Sequence, residues 1–204
     1  MKIIGITGGT GAGKTTALRF LADMGAFIID CDALYHQLLI NDSSLKAELE
    51  NRFPGILENG RIDTKMLGGR VFGDPEALAD LNDITHKYVI DEVGRRIREQ
   101  KSLGRAIVAI DAVALIESGL GDMCNRIVGV IAPSERRLSR IMARDSISEE
   151  YALSRIQSQK QDEFYINNCD MILENDYDDI KSFYGLCEEF LTQLLEDIKP
   201  EEEL

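Results

Sequence analysis

Histidine and cysteine are scarce in this chain, and neither is grouped. Only His36 and His86 are present, too few to build a histidine-based metal centre. Cys31, Cys124, Cys169 and Cys187 stand far apart with no Cys-x-x-Cys pair. That spacing argues against a zinc site or a disulfide framework and leaves core packing or incidental exposure. No apolar run approaches the roughly 18 residues that a membrane-spanning helix needs. The N-terminus leads into an apolar strand with no leader pattern, so a cytoplasmic location is expected. Positive charge is also short: 23 Lys and Arg stand against 36 Asp and Glu, a net charge of −13. Such a chain has no general attraction for nucleic acid or anionic membranes. An anionic ligand must therefore be captured at a local positive site. Part of the acidic surplus, Glu201-Glu202-Glu203, is expected to be a solvated tail. No internal repeat is evident. At 204 residues, 44% hydrophobic and 29% charged, the composition is that of a soluble globular protein. It forms one domain with insertions, or at most two.

Glycine, by contrast, is concentrated where it matters. Gly8-Gly9-Thr10-Gly11-Ala12-Gly13-Lys14-Thr15 follows directly on the apolar run Lys2 to Thr7. It fits G-x-x-x-x-G-K-[ST], a phosphate-cradling loop between a strand and a helix. Glycines let the backbone adopt φ > 0 and bring its N–H groups against phosphate oxygens. The free donors at the start of the next helix complete the anion site. Gly11, Ala12, Gly13, Lys14, Thr15 and Thr16 are the expected phosphate-binding residues. Lys14 supplies charge for the β- and γ-phosphates, and the Thr15 hydroxyl is a Mg²⁺ ligand. The flanks agree, with Ile3, Ile4 and Ile6 as a buried strand and Ala17, Leu18, Phe20 and Leu21 as a helix face.

Strands are further expected at 26–29, 106–110, 126–132 and 169–173. The second ends in Asp30-Cys31-Asp32, at the strand ends where ligands gather in an open parallel sheet. Asp32 also suits the N-cap of a helix through Leu34, Leu38 and Leu39; beside a phosphate loop, catalysis is expected of one of the two acids. The third strand ends in Asp111, a candidate Mg²⁺ partner for which Asp30 competes. Residues 36–100 read as helical, without a clear strand. Phe53-Pro54-Gly55 and Glu58-Asn59-Gly60 are turns, and Asp74-Pro75-Glu76 starts a helix. After Pro133-Ser134-Glu135, Arg136, Arg140 and Arg144 fall on one helix face. They are either a solvated stripe paired with Asp145, Glu149 and Glu150, or guanidinium forks that close over phosphates from a mobile lid at 134–165. Phe183, Tyr184, Cys187, Phe190, Leu191, Leu194, Leu195 and Ile198 give a terminal helix within 178–198 that packs on the sheet.

These residues, in this order, resemble the dephospho-coenzyme A kinases over roughly residues 1–175. The matching elements are Ile6-Thr7-Gly8-Gly9 with the phosphate loop, Ile29-Asp30-x-Asp32, and Gly60-x-Ile62-Asp63 before Leu67. They continue with Val71-Phe72, Leu81-Asn82-x-Ile84-Thr85-His86, and Asp111 with Leu115-x-Glu117. The last are Arg140-x-x-x-Arg144-Asp145, Gln159 and Asp170-x-Ile172-x-x-Asn175. The chain departs from the usual pattern at Thr64, Lys87, Val113, Ala114 and Tyr177.

The resemblance implies an α/β fold of the P-loop NTPase type, three layers deep with a parallel five-stranded sheet. Residues 36–100 would be a helical acceptor-binding insertion and 134–165 a helical lid, all within one domain over 1–204. It implies ATP-dependent phosphorylation of the ribose 3′-hydroxyl of dephospho-coenzyme A, the last step of coenzyme A biosynthesis, with Mg²⁺. Asp32 would be the base, with Lys14 and Arg140 catalytic, Arg144 a further cofactor contact and Asn175 near the adenine. The rivals are a P-loop kinase for another small acceptor, such as a nucleotide or a hydroxy acid, and a nucleotide-binding module without turnover. A GTPase is disfavoured, because no Asn-Lys-x-Asp guanine-reading motif is present.

Overall fold

A computed structural model describes residues 1–198; the acidic stretch Glu201-Glu202-Glu203 lies outside the described residues. The chain divides into two compact units. One is Met1–Ile29 together with the chain from Gln100 onward, and the other is Asp30–Glu99.

The first unit is built on a five-stranded sheet. Its strands are β1 (Lys2–Gly8), β2 (Phe27–Asp30), β5 (Ile107–Asp111), β6 (Arg126–Ile131) and β7 (Met171–Glu174), in the spatial order β2-β5-β1-β6-β7. β1 is central and pairs in parallel with β5 and β6, and β6 pairs in parallel with β7. A strand flanked on both sides and covered on both faces reads as a continuous apolar run. Ile4 and Ile6 are accordingly fully buried, each side chain contributing about 1.5–3 kcal/mol by leaving water. One layer of helix consists of α1 (Lys14–Asp23) and α9 (Ile180–Asp197). Their stripes Ala17, Leu18, Phe20 and Leu21, and Phe183, Cys187, Leu191 and Leu194, join Ile4, Ile6, Val128, Val130 and Leu173 in one core. All five strands lie within a residue or two of the expected positions.

Between β6 and β7 stand three helices, α6 (Ser134–Asp145), α7 (Glu149–Gln157) and α8 (Asp162–Asn168). Ile141, Ala152 and Ile156 form a small core joining α6 to α7. Ser146, at φ 53, ends α6 in the left-handed conformation, and Ser148 caps α7. α8 is a helix that the apolar spacing does not predict: it is two turns long and places one large side chain, Tyr165, in the interior.

The second unit is helical: α2 (Cys31–Asn41), α3 (Ser43–Arg52), α4 (Thr64–Val71) and most of α5 (Pro75–Ser102). Its core gathers Leu39, Leu45, Leu49, Phe53, Ile56, Leu67, Val71 and Ala77. Each helix begins on an aspartate whose carboxylate accepts backbone N–H groups. Asp30 takes Ala33, Asp42 takes Ser44 and Leu45, Asp63 takes Lys65 and Met66, and Asp74 takes Glu76 and Ala77. Each such cap is worth about 1 kcal/mol.

Two expectations need correcting. The cap of α2 is Asp30, not Asp32, because the helix starts one residue after the strand and Asp32 falls in its first turn. The region also has a strand pair, β3 (Leu57–Glu58) with β4 (Arg61–Ile62), closed by Asn59 at φ 50 and Gly60 at φ 76. Two residues per strand are too few to leave an alternating pattern in the sequence.

Candidate active site

β1 runs out at Gly8, and α1 begins at Lys14. The five residues between them wrap the start of the helix, whose N-cap, Gly13, offers no side-chain acceptor. No side chain caps the first turn of α1, the end of a helix at which an anion is favoured; within the loop, Ala12 N–H donates to Gly9 O (3.2 Å) and Thr16 N–H to Gly13 O (2.9 Å). Glycine is required here for space as well as for conformation. Gly13 sits at φ 118, and a methyl group on it would lie 2.3 Å from the amide nitrogen of Asn175. On Gly9 the methyl would lie 2.3 Å from the Arg137 guanidinium.

The loop opens on a cavity of about 570 Å³. Of the residues expected to bind phosphate, Gly11, Gly13, Lys14, Thr15 and Thr16 line it, and so do Arg140, Arg144 and Asn175. Ala12 does not: it is buried, and its carbonyl accepts the Asn175 side-chain amide at 2.7 Å. Lys14 lies along the loop, donating to the carbonyls of Gly8 (2.7 Å) and Gly9 (3.3 Å). Thr15 is exposed on the first turn of α1. Tyr177, Ile180 and Phe183 also line the cavity, together with Asp178 and Asp179.

The arginine row on α6 has three different fates. Arg136 forms ion pairs with Asp176 and Asp178. Arg144 is held by Asp145 (2.7 Å), which also binds Arg155 (2.6 Å). These arginines, with Arg144 foremost, hold the Asp145 carboxyl down to about 2. Arg144 is thus a solvated-stripe residue that still borders the cavity. Arg140 alone reaches the loop. Its guanidinium donates to Gly11 O (3.3 Å), Asn175 Oδ1 (3.1 Å) and Tyr177 O (2.7 Å). Burial, and then the charge of Arg136, push its pKa below the ordinary value. Asn175, 4% exposed, spends its oxygen on Arg140 and its amide on Ala12. It fastens β7 to the loop, a role the sequence did not disclose.

Arg137 carries no site signal in the sequence pattern. It stands one position off the arginine row and shares its face with Ile141. It is 4% exposed and donates to Thr10 O (2.9 Å) and to Gln159 Oε1 (2.9 Å). What the pattern does carry is a burial signal, an arginine four residues before a core isoleucine on an amphipathic helix.

Three acids were candidates for base and metal partner. Asp111 ends β5 opposite Ile6 of β1, half-buried at the carboxyl end of the sheet. Asp30 is committed to capping α2. Asp32 is exposed in the first turn of α2, in the second unit. Among the described residues there is no group of three or more His, Cys, Asp or Glu that could hold a metal ion. A hydroxyl at Thr15 and a carboxylate at Asp111 are hard oxygen donors of the kind Mg²⁺ accepts alongside water and phosphate oxygens. Another, smaller cavity of about 310 Å³ in the first unit is lined by Val113, Ala114, Glu117, Ser158, Gln159, Lys160 and Tyr165. Burial raises the Cys124 and Cys187 thiols to about 12 and Cys169 to about 11, so these are packing groups. Among the described residues no helix is long and apolar enough to cross a membrane.

A profile of the dephospho-CoA kinase family matches residues 2–180. A dephospho-CoA kinase of Dehalococcoides mccartyi is 37% identical over 186 residues, covering 89% of this chain and 93% of that protein. One from Latilactobacillus sakei is 35% identical over 173 residues, covering 84% and 86%. Among solved structures, dephospho-CoA kinase from Campylobacter jejuni shares the fold, with a TM-score of 0.69 at 24% identity, covering 96% of this chain and 98% of that one.

Proposed function

The chain belongs to the dephospho-CoA kinase family, and from that premise we propose how its residues divide the work of the reaction. The protein is a phosphotransferase that phosphorylates dephospho-CoA with ATP, a step of coenzyme A biosynthesis. The γ-phosphoryl group passes to the 3′-hydroxyl of the acceptor's ribose. Positioning and electrostatics carry most of such a transfer.

The amides of Gly11, Gly13, Lys14, Thr15 and Thr16 and the Lys14 ammonium hold the phosphate chain, while Ala12, buried with its N–H on Gly9 O, shapes the loop. Arg140, already at the loop's edge, faces the charge that builds up as the phosphoryl group moves. Thr15 and Asp111 would hold Mg²⁺, which when bound neutralises phosphate charge. Asp32 orients the acceptor hydroxyl and takes its proton. Asp30 suits that task less well, because one oxygen of its carboxylate accepts the Ala33 N–H as the cap of α2. Arg144, paired with Asp145, contributes at the cavity rim, and Asn175 acts by shaping the loop toward the nucleotide. The acidic surface and the family fit a cytoplasmic enzyme with no nucleic-acid or membrane partner.

The observation that carries this reading is the convergence of the glycine loop, Lys14, Thr15 and Arg140 on one cavity. The test is ADP release from ATP with a panel of acceptors: dephospho-CoA, nucleoside monophosphates and hydroxy acids. Dephospho-CoA is expected to be turned over and the others to lag by orders of magnitude. Faster turnover of a nucleotide or hydroxy acid would overturn the acceptor assignment.

A further inference from the structure

Arg137 is the only charged side chain of α6 that is buried. On a helix it lies about 100° from Arg136, on the side that carries Ile141. Its guanidinium closes a ring with both polar groups of one loop residue. Nε donates to the Thr10 carbonyl at 2.9 Å, and Nη2 donates to Gln159 Oε1 at 2.9 Å. The same oxygen accepts the Thr10 N–H at 2.8 Å. The fork also lies against Gly9, where even a methyl group would come within 2.3 Å of Nη2. The α6 backbone follows it closely, since a methyl on Gly11 would meet the Arg137 carbonyl at 2.8 Å.

We propose that Arg137 is a positioning residue for the nucleotide: its fork sets the Gly9–Gly11 limb of the phosphate loop, and Gln159 ties that limb to the segment that follows α7. The inference rests on the reading of the loop as the ATP site. Both hydrogen-bond acceptors are neutral, a backbone carbonyl and a side-chain amide, so the arrangement is a geometric clamp. Burial lowers the guanidinium pKa, while Asp162 and Tyr165 pull it upward. A planar fork with several fixed donors can serve both acceptors at once, which a lysine ammonium on a flexible stem cannot do in the same geometry. The clamp also has a consequence for motion: a swing of α6 away from the loop would break bonds from both Arg137 and Arg140.

Arg137→Lys keeps the charge and removes the fork. It is expected to raise Kd for ADP, by calorimetry, and KM for ATP about tenfold, the size of one lost charge-assisted hydrogen bond. KM for dephospho-CoA should stay within about twofold, since the clamp touches only the nucleotide loop. Gln159→Leu removes the shared acceptor while Arg137 remains, and should weaken ADP in the same direction. The double variant should be no worse than the weaker-binding single one, because both break one ring. If Arg137→Lys melts earlier yet binds ADP as tightly as the parent, the role is merely structural and the proposal fails. Should that variant not fold, unchanged ADP affinity in Gln159→Leu overturns it equally. An absence of dephospho-CoA turnover in the parent protein would instead count against the acceptor assignment, and the ADP affinities would still decide the role of Arg137.

Discussion

There is no room for a methyl group at residue 13. Gly13→Ala would force an L side chain to φ 118 and drive its Cβ into the Asn175 amide. The variant is expected to lose measurable ATP binding in calorimetry; binding at parental affinity would mean that the loop tolerates reshaping. The acid pair Asp30 and Asp32 separates in the same way. Asp32→Asn should lower turnover by about 10²–10⁴, the usual worth of a general base, while ATP affinity holds. Asp30→Ala should instead cost about 1 kcal/mol of stability through the lost cap, with turnover falling far less. A reversed pattern would move the base to Asp30. The sequence placed two acids at the end of β2, but not their division of labour. Which carboxylate caps depends on where α2 starts, and helix starts shift by a residue or two without altering the apolar pattern.

Among the elements, α5 offers a test of electrostatics away from the site. Glu92 receives Arg95 (2.7 Å) and Arg96 (3.0 Å), and these arginines, Arg95 first, lower its pKa from the ordinary 4.5 to about 2. A depressed carboxylate stabilises the fold fully above its unfolded pKa, and the contribution fades as pH falls toward the folded value. Glu92→Gln should therefore flatten the fall in Tm between about pH 5 and 3 relative to the parent. An equally steep acid limb in both proteins would show that the pair contributes nothing. Long elements with strong periodicity, such as β1, α1 and α9, were legible because their apolar residues recur at the spacing of the buried face. α8 and the β3–β4 pair were not, since seven residues with one buried tyrosine, or two residues per strand, leave no repeat to read. α6 was legible as a helix, but which arginine it buries was not. The acceptors of Arg137, Thr10 and Gln159, lie 127 and 22 residues away, and only the folded sheet brings them together.

For the molecule as a whole, a net charge of −13 sets the problem that the phosphate loop solves. A chain of that charge repels ATP on average, so the proposed site depends on the local positive charge that Lys14 and Arg140 bring to the cavity. Part of the acidic surplus is structural: Asp30, Asp42, Asp63 and Asp74 each start a helix. The strand, glycine loop and helix that the motif predicts were legible from composition and spacing, and β1 does end at Gly8 and α1 does begin at Lys14. The scaffold behind the loop, Asn175, Arg137 and Gln159, was not, because polar residues that bind backbone groups have no fixed spacing from their partners. The central claim is that Lys14 and the loop grip ATP so that its terminal phosphoryl group reaches dephospho-CoA. The measurement is the rate of ADP release with ATP and dephospho-CoA in the parent and in Lys14→Met. A loss of about 10²–10³ or more is predicted, comparable to removing a key transition-state donor; a variant as fast as the parent would contradict the account.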